Sequence, residues 1–460
     1  YDQIDGAAIF HFGYPTLMQK MYENDGATLI RMMQRVKERG AATSLDMTVP
    51  DPDGPSGQVD WARVLAGLKG HLDIFLPSAD EILYMLDRAH FGRGDDLSGD
   101  EVMLWLDSMS YKDYLEKELK LGPEGAAEAD VFLASSFGLG SDAQSAYVAH
   151  NVLMPGMLSK KQYEAGSPRR NSFPGGNSGF ARYFLKSILP DTIAGKNHFD
   201  DIITGAINFS ELDKEGQAVR IRLRSTAVSV QHEGSAENAK SVKVVYSRGG
   251  KEYAVRAKGV VMASGGWVNK YVVRDLPDSF KQAYQFFHHA PFLVANVALS
   301  NWRFMYELGI TAARWQDGFA YSCNIRQPMS VGRHRPALDP DKPAVLSFYV
   351  PFYSPGLPIP AQVAKGRAEL FSTSYADYET QIRNQMTKVF SASGFDHRRD
   401  IQGIILNRWG HAYVVPTPGF FFDTAESRAP RNIIIEGYGR IAFGHSELEG
   451  MQHWGPAAAC

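Results

Sequence analysis

The chain has 460 residues, of which 44% are hydrophobic and 22% charged, a composition typical of a globular protein with two to four domains. Its net charge of -3 gives no attraction to nucleic acid or to an anionic membrane. Two cysteines, Cys323 and Cys460, argue against a disulfide framework and a cysteine-based metal site. No apolar run reaches the length of a membrane span, and no signal-peptide pattern is visible, so we slightly favour the cytoplasm.

The first 90 residues alternate between helical and extended patterns, which predicts a parallel α/β layer. Ser78 and Glu81 have the spacing of a capping box, which predicts a further helix start. The polar, glycine-rich stretch 89–100 marks the predicted end of this region. Two helices and a buried strand are predicted in chain order over 16–40, 60–68 and 72–77.

Three short motifs occur in order in this region: His11-Phe-Gly-Tyr-Pro15, Thr43-Ser-Leu-Asp46 and Phe75-Leu-Pro-Ser-Ala-Asp-Glu81. Together they resemble the central part of the ribokinase-like (PfkB) carbohydrate kinases. The resemblance implies that Glu81 helps to organise Mg²⁺, with Ser78 where the family has Asn. The Gly-Ala-Gly-Asp anion hole of that family does not occur in the sequence, and phosphoryl transfer depends on such positioning. A capping role for Glu81 and a turn role for Asp46 are the alternatives.

Residues 91–460 change character along their length, and the predicted fold class of the whole chain is α/β plus α+β. The predicted parts are a helical part at 101–202, a meander with a cofactor strand at 203–278, a substrate part with a mixed sheet at 279–400 and a C-terminal part at 401–460. Helical spacing is clearest over 101–121 and 376–391. Strands are predicted over 219–223, 225–230, 241–247, 253–263, 403–406, 432–436 and 440–443.

Four stretches combine small residues with aromatic or polar ones where strands end or helices begin. Small residues let the backbone approach a planar or anionic ligand, and a helix start offers free N–H groups. The second stretch follows the strand that contains Val228, and the fourth continues to Gln452 and Trp454. The stretches are Phe173-Pro-Gly-Gly-Asn-Ser-Gly179, Val260-Val-Met-Ala-Ser-Gly-Gly266, Asn407-Arg-Trp-Gly-His-Ala-Tyr413 and Gly439-Arg-Ile-Ala-Phe-Gly-His-Ser-Glu447.

In this order, the four stretches resemble the FAD-dependent amine oxidoreductases of the spermidine dehydrogenase-like group, over residues 100–460. The resemblance implies an amine oxidase-like FAD-binding fold and oxidation of an amine, polyamines included, by hydride transfer to flavin. It implies that Val228 lies beside the adenine. The cofactor contacts it implies are Gly175, Gly176, Val228, Ala263, Gly265, Gly266, Gly444, His445, Ser446, Glu447, Gln452 and Trp454.

The same resemblance implies that Trp409, His411 and Tyr413 lie at the flavin. Flat aromatic walls with a polar edge suit an amine substrate. His411 would orient the substrate or accept a proton, with a purely structural histidine as the alternative. The adjacent pair His288-His289 would point to opposite faces of a strand, so no metal site is predicted.

The Gly-x-Gly-x-x-Gly turn with which this family begins is not found in the sequence. The nearest pattern, Gly138-Leu-Gly140 to Ala143, is rejected because Pro155-Gly156 interrupts the βαβ unit that it would need. We therefore predict an incomplete fold, truncated or mis-joined with both ends cut, and weak FAD binding. A carbohydrate kinase and an inactive chimera are the alternatives, and the amine, the electron acceptor and the oligomeric state are left open.

Overall fold

A computed structural model of the chain describes residues 6–77, 81, 84–85, 99–157, 175–315, 318–325, 329–331, 334–335 and 338–450. The chain divides into two compact units. Unit 1 contains Tyr1–Met103, Leu115–Leu121 and Ala149–Gly166, and unit 2 contains Leu104–Tyr114, Gly122–Val148 and Ser167–Cys460. The predicted junction at 89–100 lies almost wholly outside the described residues.

Unit 1 is built on a three-stranded parallel sheet, which confirms the α/β layer predicted from its alternating patterns. Leu29 of the first helix and Trp61 of the second are buried in one hydrophobic cluster with Leu45 of the central strand. The elements are β1 (Ile9–Gly13), α1 (Gln19–Glu38), β2 (Ala42–Asp46), α2 (Trp61–Leu68) and β3 (Ile74–Phe75), and the strand order is β1-β2-β3.

Local details of unit 1 differ from the prediction. The first helix is interrupted at Glu23–Gly26, where Glu23 is extended and the three residues after it are left-handed, and Gly26 packs against Val64. A strand does form within the predicted range 72–77, but its predicted burial is wrong, because β3 has two residues, 37% and 36% exposed, at the edge of the sheet. Ser78 lies outside the described residues.

The helical character predicted for 101–121 is confirmed over much of this range, where it is divided among three short helical segments. A three-residue helical turn at Tyr111–Asp113, capped by Ser110, leads into a π-helix at Tyr114–Glu118. The rejected glycine pattern follows a helix that ends at Gly138 with a φ of 87°, and a dinucleotide turn would need a strand there. The helices are α3 (Asp100–Asp107), α4 (Pro123–Phe137), α5 (Ala146–Asn151), α6 (Ser178–Ile188) and α7 (Phe199–Thr204).

The meander is confirmed as a three-stranded antiparallel sheet of β4 (Thr226–His232), β5 (Val242–Arg248) and β6 (Lys251–Ala257). The strand predicted over 219–223 is wrong. Its two arginines, Arg220 and Arg222, instead reach the carboxylate of Asp213 at 2.7 and 3.4 Å.

The apolar run after the meander forms a separate strand, β7 (Val260–Met262), which pairs in parallel with β13 (Ile441–Phe443). Two short helices follow β7, namely α8 (Gly266–Val272) and α9 (Asp278–Ala283). The strand predicted over 432–436 is wrong. That segment belongs to helix α14 (Pro430–Ile435), whose first residue is a proline, a favoured residue at a helix start.

The substrate part contains a five-stranded sheet of order β12-β8-β11-β10-β9. Every neighbouring pair is antiparallel, so the predicted mixed sheet is wrong. The helix predicted over 376–391 is confirmed, whereas α11 was not predicted. The elements are β8 (His288–Leu299), α10 (Arg303–Glu307), β9 (Ala312–Arg314), β10 (Ser322–Ile325), β11 (Ala344–Pro351), α11 (Ile359–Ser372), α12 (Tyr375–Phe390), α13 (His397–Asp400) and β12 (Ile401–Val415).

Candidate functional site

Strands β7 and β13 end side by side, and each is followed directly by a residue with a small side chain. Met262 is in register with Phe443, and the Gly444 N–H donates to the carbonyl of Met262 at 3.0 Å. Ala263 and Gly444, which follow the two strands, are exposed. The carboxyl ends of adjacent parallel strands are a common ligand-binding position in α/β proteins. A ligand can therefore approach the backbone closely at this edge.

A buried carboxylate connects these strand ends to the five-stranded sheet. Glu447 is 2% exposed and accepts hydrogen bonds from the Gly266 N–H at 2.7 and 3.0 Å. Its Oε2 also lies 2.7 Å from Nε2 of His289 on β8. Buried charge is tolerated when it is paired and hydrogen-bonded in this way. Glu447 therefore orients His289 and the start of α8.

The indole of Trp267 lies against three imidazoles. It stacks on His411 with a ring separation of 4.5 Å and an interplanar angle of 12°. It meets His289 edge to face at 4.4 Å and His445 at 5.7 Å. A Cβ atom at Gly265 would overlap the six-membered ring of the same indole. Trp267 thus fills the space that Gly265 leaves, inside a histidine cluster formed by His289, His411 and His445.

Arg367 on α11 links strands β8 and β12, which carry His289 and His411. Its Nε donates to the carbonyl of Gly410 at 2.8 Å, and its Nη2 donates to the carbonyl of His289 at 3.1 Å. The guanidinium is partly buried, which lowers the pKa of Arg367. Its charge also acts on His411, the neighbour of Gly410. Arg367 fixes the backbone on both sides of the cluster.

The surroundings lower the pKa of two of the imidazoles around Trp267, those of His411 and His445. Burial, with the charges of Arg367 and His289, lowers the pKa of His411 to about 4. Burial also lowers the pKa of His445, although Glu447 acts in the opposite direction. The pKa of His288 is lowered mainly by burial. Desolvation disfavours the charged form of a histidine, so His411 is neutral at pH 7.

Of the three predicted catalytic residues, His411 belongs to this cluster. His411 stacks on Trp267, whereas Trp409 is 57% exposed and the ring of Tyr413 packs 5.2 Å from that of Phe292. The register of β12 against β8 shifts between Trp409 and Tyr413, so the regular alternation of side chains along the strand is interrupted between them. Trp267 and Arg367 were not predicted. Trp267 follows the predicted glycines directly, but Arg367 lies on the helix that the patterns did not indicate.

The other predicted cofactor residues are spread over unit 2. Val228 lies in a β-bulge of β4, and its carbonyl accepts a hydrogen bond from Arg274 at 2.9 Å. Gly175 and Gly176 both have positive φ angles before α6, and Gly175 packs against Ile203. Ser446 is half-buried at the start of a short 3₁₀ turn. Gln452 and Trp454 lie outside the described residues.

Unit 1 has a cavity of its own, of about 360 Å³. Its lining includes Tyr14, Asp46 and Glu81, one residue from each of the three motifs of that region. Tyr14 has a left-handed backbone, and Glu81 is buried. In the part of the chain that the structure describes, no group of three or more histidine, cysteine or carboxylate side chains is arranged to hold a metal ion.

No protein-family model and no curated protein matches the chain. Solved structures similar to it include amine oxidases, the class that the sequence resemblance predicted. A double mutant of putrescine oxidase with redesigned cofactor binding has a TM-score of 0.48 at 11% identity, covering 83% of this chain and 73% of that chain. Wild-type putrescine oxidase bound to putrescine gives 0.46 at 13%, covering 83% and 73%. Cyclohexylamine oxidase from Brevibacterium oxydans IH-35A gives 0.44 at 12%, covering 88% and 74%.

With TM-scores below 0.5, these likenesses leave the function to be inferred from the residues of the chain. They give no support to the carbohydrate-kinase resemblance of unit 1. No helix among the described residues is long and apolar enough to cross a membrane.

The strand ends fit the extended part of FAD, because the exposed backbone at Ala263 and Gly444 allows a close approach. The space beside Gly265 does not fit the flavin ring as it stands, since the Trp267 indole fills it. A flat ring stacked on His411 requires that this indole move aside.

Proposed function

We propose that the chain is an FAD-dependent oxidoreductase that oxidises an amine by hydride transfer to flavin. The proposal depends on one observation, the adjacent small-residue ends of β7 and β13 beside a cluster that contains a neutral histidine. Parallel strand ends suit a dinucleotide, and the uncharged imidazole of His411 suits an amine. The sequence resemblance supports the same class.

The residues that would hold FAD are those exposed or half-buried at the two strand ends. Ala263 and Gly444 offer backbone without bulky side chains, and His445 and Ser446 offer polar groups beside it. When bound, FAD supplies the two-electron acceptor for the substrate. Glu447 contributes by orienting His289 and the start of α8.

The cluster favours an amine in its neutral form. The positive charge of Arg367 reaches His411, and the lowered pKa keeps that imidazole uncharged at pH 7. The like charge of Arg367 and the burial of the cluster both disfavour an ammonium ion beside His411. Only the neutral amine has the nitrogen lone pair that supports loss of hydride from the adjacent carbon. His411 can then accept a hydrogen bond from the amine N–H.

The test is FAD binding by the purified chain, followed by anaerobic bleaching of the bound flavin with a panel of mono-, di- and polyamines. We expect binding in the micromolar range or weaker, because no Gly-x-Gly-x-x-Gly turn follows a strand in the sequence. Gly444→Val should lower the FAD affinity at least about tenfold, since an added side chain would press on Val261.

Gly403→Val is the matched control, because a Cβ there meets nothing within 4 Å. A chain that binds no FAD, or FAD that no amine reduces, contradicts the proposal. An inert and colourless chain is the result expected of the inactive chimera.

A second candidate function, recognition of a carbohydrate, is favoured by the cavity of unit 1, where Asp46 and Glu81 line one space with Tyr14. Carboxylates bind sugar hydroxyls and Mg²⁺ readily. We expect sugar binding without ATP-dependent phosphorylation, because the anion hole of the carbohydrate kinases does not occur in the sequence. Calorimetric titration with a panel of monosaccharides tests it, and an unchanged affinity in Asp46→Asn would contradict it.

A further inference from the structure

Unit 2 has a second cavity, of about 290 Å³, on a different part of the five-stranded sheet from the histidine cluster. It lies among the end of β11, the segment before β10 and the helices α11 and α12. We call it the tyrosine pocket, after Tyr321, Tyr353 and Tyr378 in its wall. The wall of the pocket also contains two phenylalanines and one carboxylate, Phe319, Phe352 and Glu369.

The segment 318–321 that forms one wall is fixed in an unusual backbone conformation. Ala320 has a φ of 58°, which non-glycine residues rarely adopt. The buried side chain of Gln385 accepts a hydrogen bond from the Phe319 N–H at 3.2 Å, and Trp315 Nε1 donates to the Phe319 carbonyl at the same distance. Strained backbone that is held by its surroundings is frequent at binding sites. The wall is therefore preorganised.

The chemistry of the tyrosine pocket selects for positive charge. Glu369 is the one charged side chain among its described lining residues. Burial raises the pKa of Tyr353 and that of Tyr378, so both phenols stay protonated and neutral at physiological pH. Tyr321 and Tyr353 lie 5.9 Å apart, ring to ring, and the faces of such rings attract cations.

Other ligand classes fit less well. An anion would be repelled by the Glu369 carboxylate. The guanidinium of Arg408 acts on the pKa of Tyr378, but Arg408 is not among the described lining residues. A divalent metal needs about six oxygen ligands, far more than one carboxylate supplies. The volume is at the lower end for small-molecule sites, which limits the ligand to a small molecule.

We propose that the tyrosine pocket binds a small organic ammonium ion, whose charge pairs with Glu369 and whose carbon atoms lie on the tyrosine and phenylalanine rings. This site differs from the proposed flavin site, and its binding does not depend on FAD. It assigns to the chain a second recognition element for amines, here in their protonated form.

Isothermal titration of the purified chain with tetramethylammonium, without added FAD, tests the proposal. tert-Butanol is the neutral probe of similar size. We expect tetramethylammonium to bind, tert-butanol not to bind, and Glu369→Gln to weaken tetramethylammonium binding at least about fivefold. Added NaCl should weaken binding in the wild type more than in Glu369→Gln.

Glu426→Gln, which neutralises an exposed carboxylate away from the pocket, should leave the affinity unchanged. Glu369 is itself exposed, so its amide variant is expected to fold, and a circular dichroism melt verifies this. The proposal is overturned if tetramethylammonium does not bind, if tert-butanol binds equally well, or if Glu369→Gln binds as tightly as the wild type. Because FAD is omitted, a negative result here does not contradict the proposed flavin function, which is tested separately by FAD binding and amine reduction.

Discussion

The indole of Trp267 lies where a side chain at position 265 would be, and it stacks on His411 in the way a flat ligand ring would. Face-to-face aromatic contact of this kind contributes on the order of 1 kcal/mol beyond the buried area. A ligand ring that takes this position has to replace that contact. Trp267 therefore competes with any flat ring for the face of His411.

This competition predicts that Trp267→Ala binds FAD more tightly than the wild type. We expect about a fivefold gain, which corresponds to the loss of one stacking contact of about 1 kcal/mol between Trp267 and His411 in the protein without FAD. The measurement is a titration monitored by quenching of FAD fluorescence. Tyr271→Ala, an exposed aromatic residue on the same helix, is the matched control and should have no effect. Weaker binding by Trp267→Ala would mean that the indole supports the cofactor instead of excluding it.

The sequence resemblance indicated the small residues Gly265 and Gly444, because such residues at strand ends form a recognisable pattern. It also indicated the histidines His411 and His445, but not His289. It did not indicate what fills the space beside them. The contact between Trp267 and His411 joins residues 144 positions apart in the sequence, and such pairings depend on the tertiary structure. Glu447 was predicted as a cofactor contact, whereas its carboxylate is engaged by Gly266 and His289.

At the level of elements, a buried carboxylate at the end of α3 ties two distant segments together. Asp107 is 1% exposed and accepts hydrogen bonds from the Phe421 N–H at 2.9 Å and from the Ser145 hydroxyl at 2.8 Å. Burial nevertheless raises the pKa of Asp107 to about 6, against 3.8 for the free side chain. The folded state therefore binds this proton more tightly than the unfolded state does.

The stabilisation due to the protonated Asp107 is complete below about pH 4 and is lost as the pH rises through about 6. Asp107→Asn stays neutral at every pH. Relative to the wild type, we expect this variant to gain up to about 3 kcal/mol between pH 4 and 7. Melting temperatures of both proteins across this range provide the measurement. Asp278→Asn, at an exposed position, should show a constant difference, and a constant difference for Asp107→Asn would contradict the prediction.

Elements with strong local signals were predicted correctly, and elements decided by side-chain partners were not. The helix α12 has regular apolar spacing and a serine cap at Ser374, whose hydroxyl accepts from the Asp377 N–H. In contrast, the apolar run 432–436 reads equally well as a strand or a buried helix, and Pro430 decides for the helix. The run 219–223 alternates like a strand, but ion pairs of its arginines with Asp213 hold it as a loop.

On the scale of the whole molecule, the two-stranded parallel sheet of β7 and β13 leaves one face in solvent. Val261 is 68% exposed, and Ala263 and Ala442 beside it are also exposed. Parallel sheets are usually covered on both faces, so this apolar surface is unusual. It favours self-association of the purified chain.

Val261→Thr keeps the shape of the side chain but adds a hydroxyl, so it should reduce binding of the dye ANS and raise the concentration at which the chain aggregates. Light scattering and ANS fluorescence measure both effects. Val345→Thr, at a position 50% exposed on β11, serves as the matched control. Equal effects of the two substitutions would show that the parallel sheet has no special part in association.

Helix α11 has two opposite charges only two positions apart, Arg367 near the histidine cluster and Glu369 at the tyrosine pocket. Residues two positions apart point to different sides of a helix, so Arg367 acts on the histidine cluster and Glu369 acts on the tyrosine pocket. A molecule with a nitrogen atom at each end would meet a repulsive potential at one side of this helix and an attractive one at the other. Its protonated end would turn toward Glu369, and such a polarity would give a symmetrical diamine a preferred direction of approach.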